Sequence, residues 1–241
     1  MVLTCFGTGS SGNSYLLQHS CGSSIIIDLG VNFTQILPLL NFNLDHVMGC
    51  IVSHEHKDHC KFVDQALRYR LDVYSNVPEL ISADVDNAYL HRISAGTVMT
   101  DFSPTFTILP FKVEHDAVDP LGFLIQADKC KILFITDSYF TRYKFTDIDY
   151  LIIECNFDEE TLKENEPDLN EKYVDRLKVS HMSLERLIEF IDVQQLHTLK
   201  HIVLIHGSNK NLDKEKTISA IDAVTVGTKI TIAKKGMMLP L

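Results

Sequence analysis

A single domain with strands and helices mixed throughout is the fold class this 241-residue chain predicts. Three observations predict it. Short apolar runs bounded by turn residues recur from one end to the other. Stretches with apolar residues at helical spacing fall between them. No internal repeat or low-complexity linker divides the chain, so residues 1–241 are read as one domain. The length suffices for a substantial core, and a hydrophobic share of 45% with 22% charged residues is that of an ordinary globular protein.

In order, Val2 to Phe6 reads as a strand, Gly7 to Asn13 as a glycine–serine turn, and Ser14 to Gln18 as a second strand. Cys21-Gly22-Ser23 turns the chain into a third, Ser24 to Asp28. Asn32 to Leu40 predicts a short helix ending near Pro38. Val47 to Val52 is an apolar strand, and Cys60 to Tyr69 carries helical spacing. Asp72 to Ser75 reads as a strand and Pro78 to Ala83 as a helix start, the succession continuing weakly to His91. Phe106 to Val113 is β in pattern, interrupted by Pro110, and is followed by strands at Gly122 to Gln126, Lys131 to Thr136 and Tyr150 to Asn156. Glu159 to Lys178, charged and holding Pro167, predicts a surface helix and loop. Ser183 to Leu199 is amphipathic, with Ser183 as N-cap and Glu185 in the first turn. A strand over His201 to His206, a helix over Asp213 to Val224 and a strand over Lys229 to Ala233 complete the chain.

Composition excludes several classes. No apolar run reaches the roughly 20 residues of a spanning helix, and the N-terminus lacks a signal-peptide layout, so no membrane partner is expected. The six cysteines form no C-x-x-C pair and read as reduced thiols of a cytoplasmic protein. A net charge of −10 argues against a broad nucleic-acid-coating surface. A nuclease remains compatible, because bound cations and a local basic strip supply positive field where it is needed. The sequence also allows a homo-oligomer. Gly7-x-Gly9-x-x-Gly12 with Asp28 downstream mimics a dinucleotide fingerprint. That reading fails for want of a crossover helix before the next strand.

The run His54-Glu55-His56-Lys57-Asp58-His59 follows the strand at Val47 to Val52. Ordinary packing does not explain three imidazoles and a carboxylate in six positions, since each buried ring needs partners for two nitrogens. Imidazoles suit zinc, iron or manganese, and the carboxylate favours the harder ions. His115, Asp137 and His206 likewise stand at strand ends. Strand ends on one edge of a sheet converge, so these residues make up to seven ligands, enough for two ions sharing a carboxylate.

These residues resemble the metallo-β-lactamase superfamily, whose H-x-H-x-D-H signature stands here as His54 to His59. Asp28, His115, Asp137 and His206 fit its other motifs. Gly7-Thr8-Gly9-Ser10-Ser11-Gly12-Asn13-Ser14, His115-Asp116-Ala117-Val118-Asp119-Pro120 and Glu154-Cys155-Asn156 are similar to the YycJ (WalJ) exonuclease-type branch, although Phe157 stands where that branch carries histidine. The resemblance implies an α+β, four-layer αββα sandwich of two mixed sheets flanked by helices. It implies two divalent ions, zinc or manganese: one on His54, His56 and His115, the other on Asp58, His59 and His206, with Asp137 bridging. The activity implied is phosphodiester hydrolysis of DNA or RNA ends, with a metal-bridging hydroxide as nucleophile. Cyclic-nucleotide hydrolysis and lactone or thioester hydrolysis are the alternatives.

Within that expectation Asp58 would also orient or deprotonate the attacking water. His181 is either a phosphate contact or general acid at a helix N-terminus, or a capping or merely exposed histidine. Asp28 either fixes a ligand tautomer or forms a turn. Ser10, Ser11, Asn13, Lys57 and Asn209 are candidate substrate contacts. The loop holding the first three either offers N–H groups to a phosphate or only turns a hairpin. Lys57 belongs to a basic strip with Lys61, Arg68, Arg70, Lys210 and Lys214.

Overall fold

Ile25 and Ile27 point to one face of their strand and Ile26 to the other, yet all three are fully buried. A strand buried on both faces belongs to a sheet covered on both sides. The computed structural model, which describes residues 1–76, 87–99, 102–194 and 196–241, shows that arrangement. One sheet contains β1 (Val2–Gly7), β2 (Ser14–Gln18), β3 (Ser24–Ile27), β4 (Val47–Ile51), β5 (Val73–Ser75), β6 (Leu90–Arg92) and, at its edge, β13 (Met238–Pro240). Its order is β13-β1-β2-β3-β4-β5-β6. The other contains β7 (Phe106–Lys112), β8 (Leu121–Ala127), β9 (Cys130–Ile135), β10 (Tyr150–Glu154), β11 (His201–Ile205) and β12 (Lys229–Ile232), in the order β12-β11-β10-β9-β8-β7. Both sheets are mixed: β3 to β6 and β9 to β12 pair in parallel, the rest antiparallel.

Three apolar layers hold four structural layers together. Between the sheets, Leu3, Tyr15, Leu17, Ile25 and Ile27 meet Phe106, Phe123, Ile132, Phe134 and Ile152. The Tyr15 and Phe134 rings meet edge-on at 5.4 Å, a geometry that adds about 1 kcal/mol beyond area burial. On the first sheet's outer face, Leu16, Ile26 and Val52 pack with Val63, Ala66 and Leu67 of α2 (Val63–Arg68). On the second sheet's outer face, Leu133, Ile135, Leu151 and Ile153 pack with Leu184, Leu187 and Phe190 of α5 (Leu184–Val193), while Ile221 comes from α6 (Lys214–Val224). This is an αββα sandwich, the class the sequence resemblance implies.

Several boundaries move for local reasons. Asn32 to Leu40 forms two 3-10 turns, Phe33–Gln35 and Leu37–Leu40, with Pro38 inside the second rather than ending a helix. Helicity begins earlier than Cys60, in the one-turn α1 (Lys57–Cys60), so Asp58 and His59 are themselves helical. Pro110 sits within β7 without breaking it because β7 is an edge strand, where a missing N–H costs no ladder bond. The charged segment holds α3 (Glu159–Asn165), a 3-10 turn containing Pro167, and α4 (Glu171–Ser180). Ser183 caps α5 by accepting from the Arg186 N–H, but the helix stops at Val193, short of Leu199. The expected helix start at Pro78 to Ala83 lies outside the described residues. Among the described residues no helix is long and apolar enough to cross a membrane.

Candidate metal centre

Three site residues leave their strands through the left-handed backbone region. Asp28 directly follows β3 at φ +61°, Asp137 stands two residues past β9 at φ +40°, and His206 directly follows β11 at φ +52°. Such a conformation costs a non-glycine residue on the order of 1 kcal/mol, and it turns the chain sharply where the side chain enters the cluster. His54 and His56 come from the loop after β4, Asp58 and His59 from α1, and His115 from the segment after β7.

All seven residues expected as ligands meet. Donor atoms of His54, His56, His115 and Asp137 lie within 4.8 Å of one another, and so do those of Asp58, His59, Asp137 and His206. Asp137 belongs to both groups: its Oδ2 is 3.9 Å from His54 Nε2 and 3.7 Å from His115 Nε2, and its Oδ1 is 3.2 Å from His59 Nε2. Asp58 Oδ2 stands 3.5 Å from His59 Nε2 and 3.6 Å from His206 Nε2.

The opposite ring nitrogens decide what points inward. His59 Nδ1–H donates to Asp28 Oδ2 at 2.7 Å, and His115 Nδ1–H to the Ser180 carbonyl at 2.7 Å. His54 Nδ1–H donates to Ser53 Oγ at 3.0 Å, whose own proton goes to Asp28 Oδ2 at 3.0 Å. His206 Nδ1 meets Glu154 Oε1 at 2.9 Å. Each of these bonds sets its ring so that Nε2 faces the cluster, where His115 Nε2 meets His56 Nδ1 at 3.1 Å and His59 Nε2 meets Asn13 Nδ2 at 2.9 Å. The Nε2 atoms of His54 and His206 are buried without a hydrogen-bond partner, a costly arrangement that a coordinated cation relieves. Imidazole nitrogens with one shared carboxylate suit zinc or manganese. A third combination of Asp137, Glu154, His181 and His206 is as compact. Glu154, however, is already saturated by the Ser138 and Met182 N–H groups, Asn156 Nδ2 and the two imidazoles.

Burial would lower His59 and His206, yet the Asp137 carboxylate beside them raises both. Burial, reinforced by His59, pushes His54 well below the ordinary histidine range, keeping it neutral. Burial would raise Asp58, but the His206 and His59 imidazoles beside its carboxylate hold it below the carboxylate range. Asp137 is likewise held well down, the charges of His206 and His59 overcoming burial. Burial alone would lower His181, yet the Glu154 carboxylate at 2.6 Å raises it.

The glycine–serine loop has a structural role. Gly12 sits at φ +142°, and a Cβ there would come 2.4 Å from the Gly30 carbonyl oxygen; a Cβ on Gly30 would come 1.6 Å from that of Asp58. Only glycine lets these three backbones stack so closely. The Asn13 N–H donates to the Asp58 carbonyl at 2.7 Å and the Leu29 N–H to that of His59 at 2.6 Å, clamping α1. No helix opens at the third glycine: β1 and β2 pair as a hairpin.

A cavity of about 410 Å³ opens over the cluster. Its lining includes Ser10, Ser11, Asn209 and His181 among the sequence candidates. Asn13 is fully buried instead, its Nδ2 2.9 Å from His59 Nε2 and 3.3 Å from Asp58 Oδ2, so it touches the cluster rather than the cavity. Lys57 is exposed and outside the lining, as are Lys61, Arg68, Arg70, Lys210 and Lys214. His181 is the residue after α4, two before the Ser183 cap, and not at the N-terminus of α5 itself; its ring stacks on His206 at 5.3 Å. Asp28 holds His59, one of the two roles open to it. Sequence reasoning gave no role to Glu154, whose signal is the same as its neighbours': a charged residue closing an apolar strand. It also missed Tyr173 and Arg176, which line the cavity from α4, because their segment read as solvated surface.

Comparison with known proteins places these features. The pattern of the family described as "Beta-lactamase superfamily domain" matches residues 24–207. The exodeoxyribonuclease WalJ of Streptococcus pneumoniae is 28% identical over 229 residues, covering 86% of this chain and 82% of that protein. The exodeoxyribonuclease YycJ of Bacillus anthracis is 26% identical over 231 residues, covering 90% and 86%. Among solved structures, the metallo-beta-lactamase fold protein YhfI of Bacillus subtilis superposes with a TM-score of 0.72 at 18% identity, over 99% of both chains.

Proposed function

The chain belongs to the β-lactamase superfamily and is a metal-dependent phosphodiester hydrolase, and from that premise we propose that residues 1–241 form one domain that degrades DNA or RNA from an end with two divalent ions. The observation that carries the two-ion reading is the pair of four-residue donor groups sharing Asp137. His54, His56 and His115 would hold one ion, and Asp58, His59 and His206 the other. Zinc or manganese bound there would supply Lewis-acid charge and lower the pKa of the attacking water.

The chain's own groups then divide the work. Asp58 faces the cavity and takes or orients the proton of the attacking water. His181, with Nδ1 engaged by Glu154 and its pKa raised, turns Nε2 toward the cavity, where it donates a proton to the leaving oxygen. Glu154 ties this acid to His206, so both imidazoles keep fixed orientations. Exodeoxyribonuclease activity is the named activity of both relatives and supports a nucleic-acid substrate.

The test is incubation of the manganese- or zinc-loaded protein with 5′-labelled single- and double-stranded DNA, RNA, cyclic nucleotides and a lactone. The expected result is stepwise shortening of the nucleic acid, abolished by chelation and by Asp58→Ala, with two ions per chain. Lactone turnover with every phosphodiester intact would overturn the reading. Fewer than one ion per chain, unchanged in Asp58→Ala, would remove the metal centre itself.

A further inference from the structure

Helix α4 forms one wall of the cavity through Tyr173, Arg176, Leu177 and Ser180. Tyr173 and Arg176 stand three residues apart and are therefore neighbours on one helical face. Val174 and Leu177 are buried in a small core with Phe157 and Leu162, which pins α4 in place. Phe157 thus anchors the helix that bears the pair. Among the described residues, Tyr173 is the only aromatic lining residue besides the histidines, and Arg176 the only lysine or arginine.

Arg176 is tied to the cluster as well as to the cavity. Its Nε donates to Asp116 Oδ2 at 2.6 Å, and Asp116 Oδ1 is 3.3 Å from His115 Nε2. The two terminal amino groups of the guanidinium have no partner among the described residues, and they offer a planar fork suited to a phosphate. Tyr173 is 46% exposed beside it. A ring and a cation at this spacing match a base and a neighbouring phosphate of an unpaired strand, since stacking needs a free base face. One lining cation on a chain of net charge −10 does not match a long phosphate track.

Resting on the phosphodiester reading, we propose that Tyr173 and Arg176 form an end-recognition clamp. The substrate is a single-stranded terminus held by its last two nucleotides. The scissile phosphate lies over the metal cluster, the adjacent phosphate on Arg176, and a base against Tyr173. Phosphates farther along the strand make no contact.

The test pairs binding with turnover. 5′-Phosphorylated dT2 and dT20, each carrying a 3′ fluorophore, and a blunt duplex are titrated against the Asp58→Asn protein, and KM and kcat are measured on the wild-type chain with Tyr173→Ala, Tyr173→Phe and Arg176→Gln. The clamp predicts dT2 and dT20 affinities within about threefold, weaker duplex binding, and a log–log salt slope of roughly −1. Tyr173→Ala and Arg176→Gln each raise KM about tenfold with little change in kcat, and Tyr173→Phe retains wild-type KM. Both residues are exposed, so thermal midpoints stay unchanged. Affinity that climbs with length, a slope steeper than roughly −2, or no oligonucleotide binding at all would overturn it. Cleavage of dT20 with unaltered KM in both variants removes the clamp and leaves the reaction standing. Tyr173-dependent dT2 binding without hydrolysis of any phosphodiester does the reverse.

Discussion

Replacing Asp28 by Asn tests whether metal affinity here depends on a carboxylate that touches no ion. Asparagine has nearly the same size and tolerates the left-handed φ of +61°, so the backbone is not the perturbed variable. In the native chain Oδ1 accepts the Ser53 N–H at 2.7 Å, and Oδ2 accepts Ser53 Oγ–H at 3.0 Å and His59 Nδ1–H at 2.7 Å. If the amide oxygen keeps the Ser53 N–H, the NH2 group faces two donors. His59 must then move its proton to Nε2, the nitrogen that points into the cluster. The loss is one charge-assisted bond of about 2 kcal/mol and one hydroxyl bond of about 1 kcal/mol, in a fully buried site. The expected result is about 3 kcal/mol lower stability to urea and 10–100-fold weaker metal binding. Urea unfolding of the chelated protein and competition titration with a chromophoric chelator measure the two separately. Affinity within threefold of wild type, with stability within about 0.5 kcal/mol, would refute the role given to Asp28.

Three more outcomes follow from other parts of the fold. Asp158 caps α3, accepts the Asp213 N–H and meets Lys216 Nζ at 2.7 Å; burial would raise it, but these bonds hold it down at about 2. Its folded pKa lies below the unfolded value of 3.8, so its contribution is complete above pH 4 and fades as pH falls toward 2. Asp158→Asn should therefore cost about 2 kcal/mol at pH 7 and progressively less in acid; a pH-independent deficit would contradict this. Gly30→Ala drives a Cβ to 1.6 Å from the Asp58 carbonyl oxygen, and should cost at least about 3 kcal/mol with loss of metal stoichiometry. A folded, metal-loaded variant would show that the glycine stack is not required. Ser183→Ala removes the α5 cap and should lower stability by about 1 kcal/mol without altering turnover, as thermal melts and kcat would show.

The patterns legible in the chain were those that depend on nearest neighbours and period. Ile25 to Ile27 reads as a strand because three β-branched residues in a row pack on a sheet covered on both faces. Ser183 reads as a cap because a hydroxyl before an amphipathic run satisfies an open N–H. The dense histidine turn is legible because so many imidazoles in so few residues need a common partner. Pro38 and Leu199 misled for the opposite reason: a 3-10 turn tolerates proline early in its course, and α5 ends where Gln194 turns to extended backbone, its side-chain amide accepting from the Phe145 N–H and donating to the Tyr143 carbonyl.

By itself, then, the sequence determined most of the strand and helix succession, though not the edge strand β13, and the seven residues proposed as ligands. Each is either a local periodicity or a polar residue closing an apolar run. Tertiary structure alone decided which nitrogen of each ring faces inward, because that depends on Asp28, Ser53, Ser180 and Glu154, partners brought from distant strands and helices. It also decided that Lys57 stands aside while Arg176 and Tyr173 face the cavity. A charge beside a motif in sequence says nothing of direction. The face a helix turns to a site is set by what its other face buries, here Val174 against Phe157 and Leu162, with Leu177 at the border between that core and the cavity.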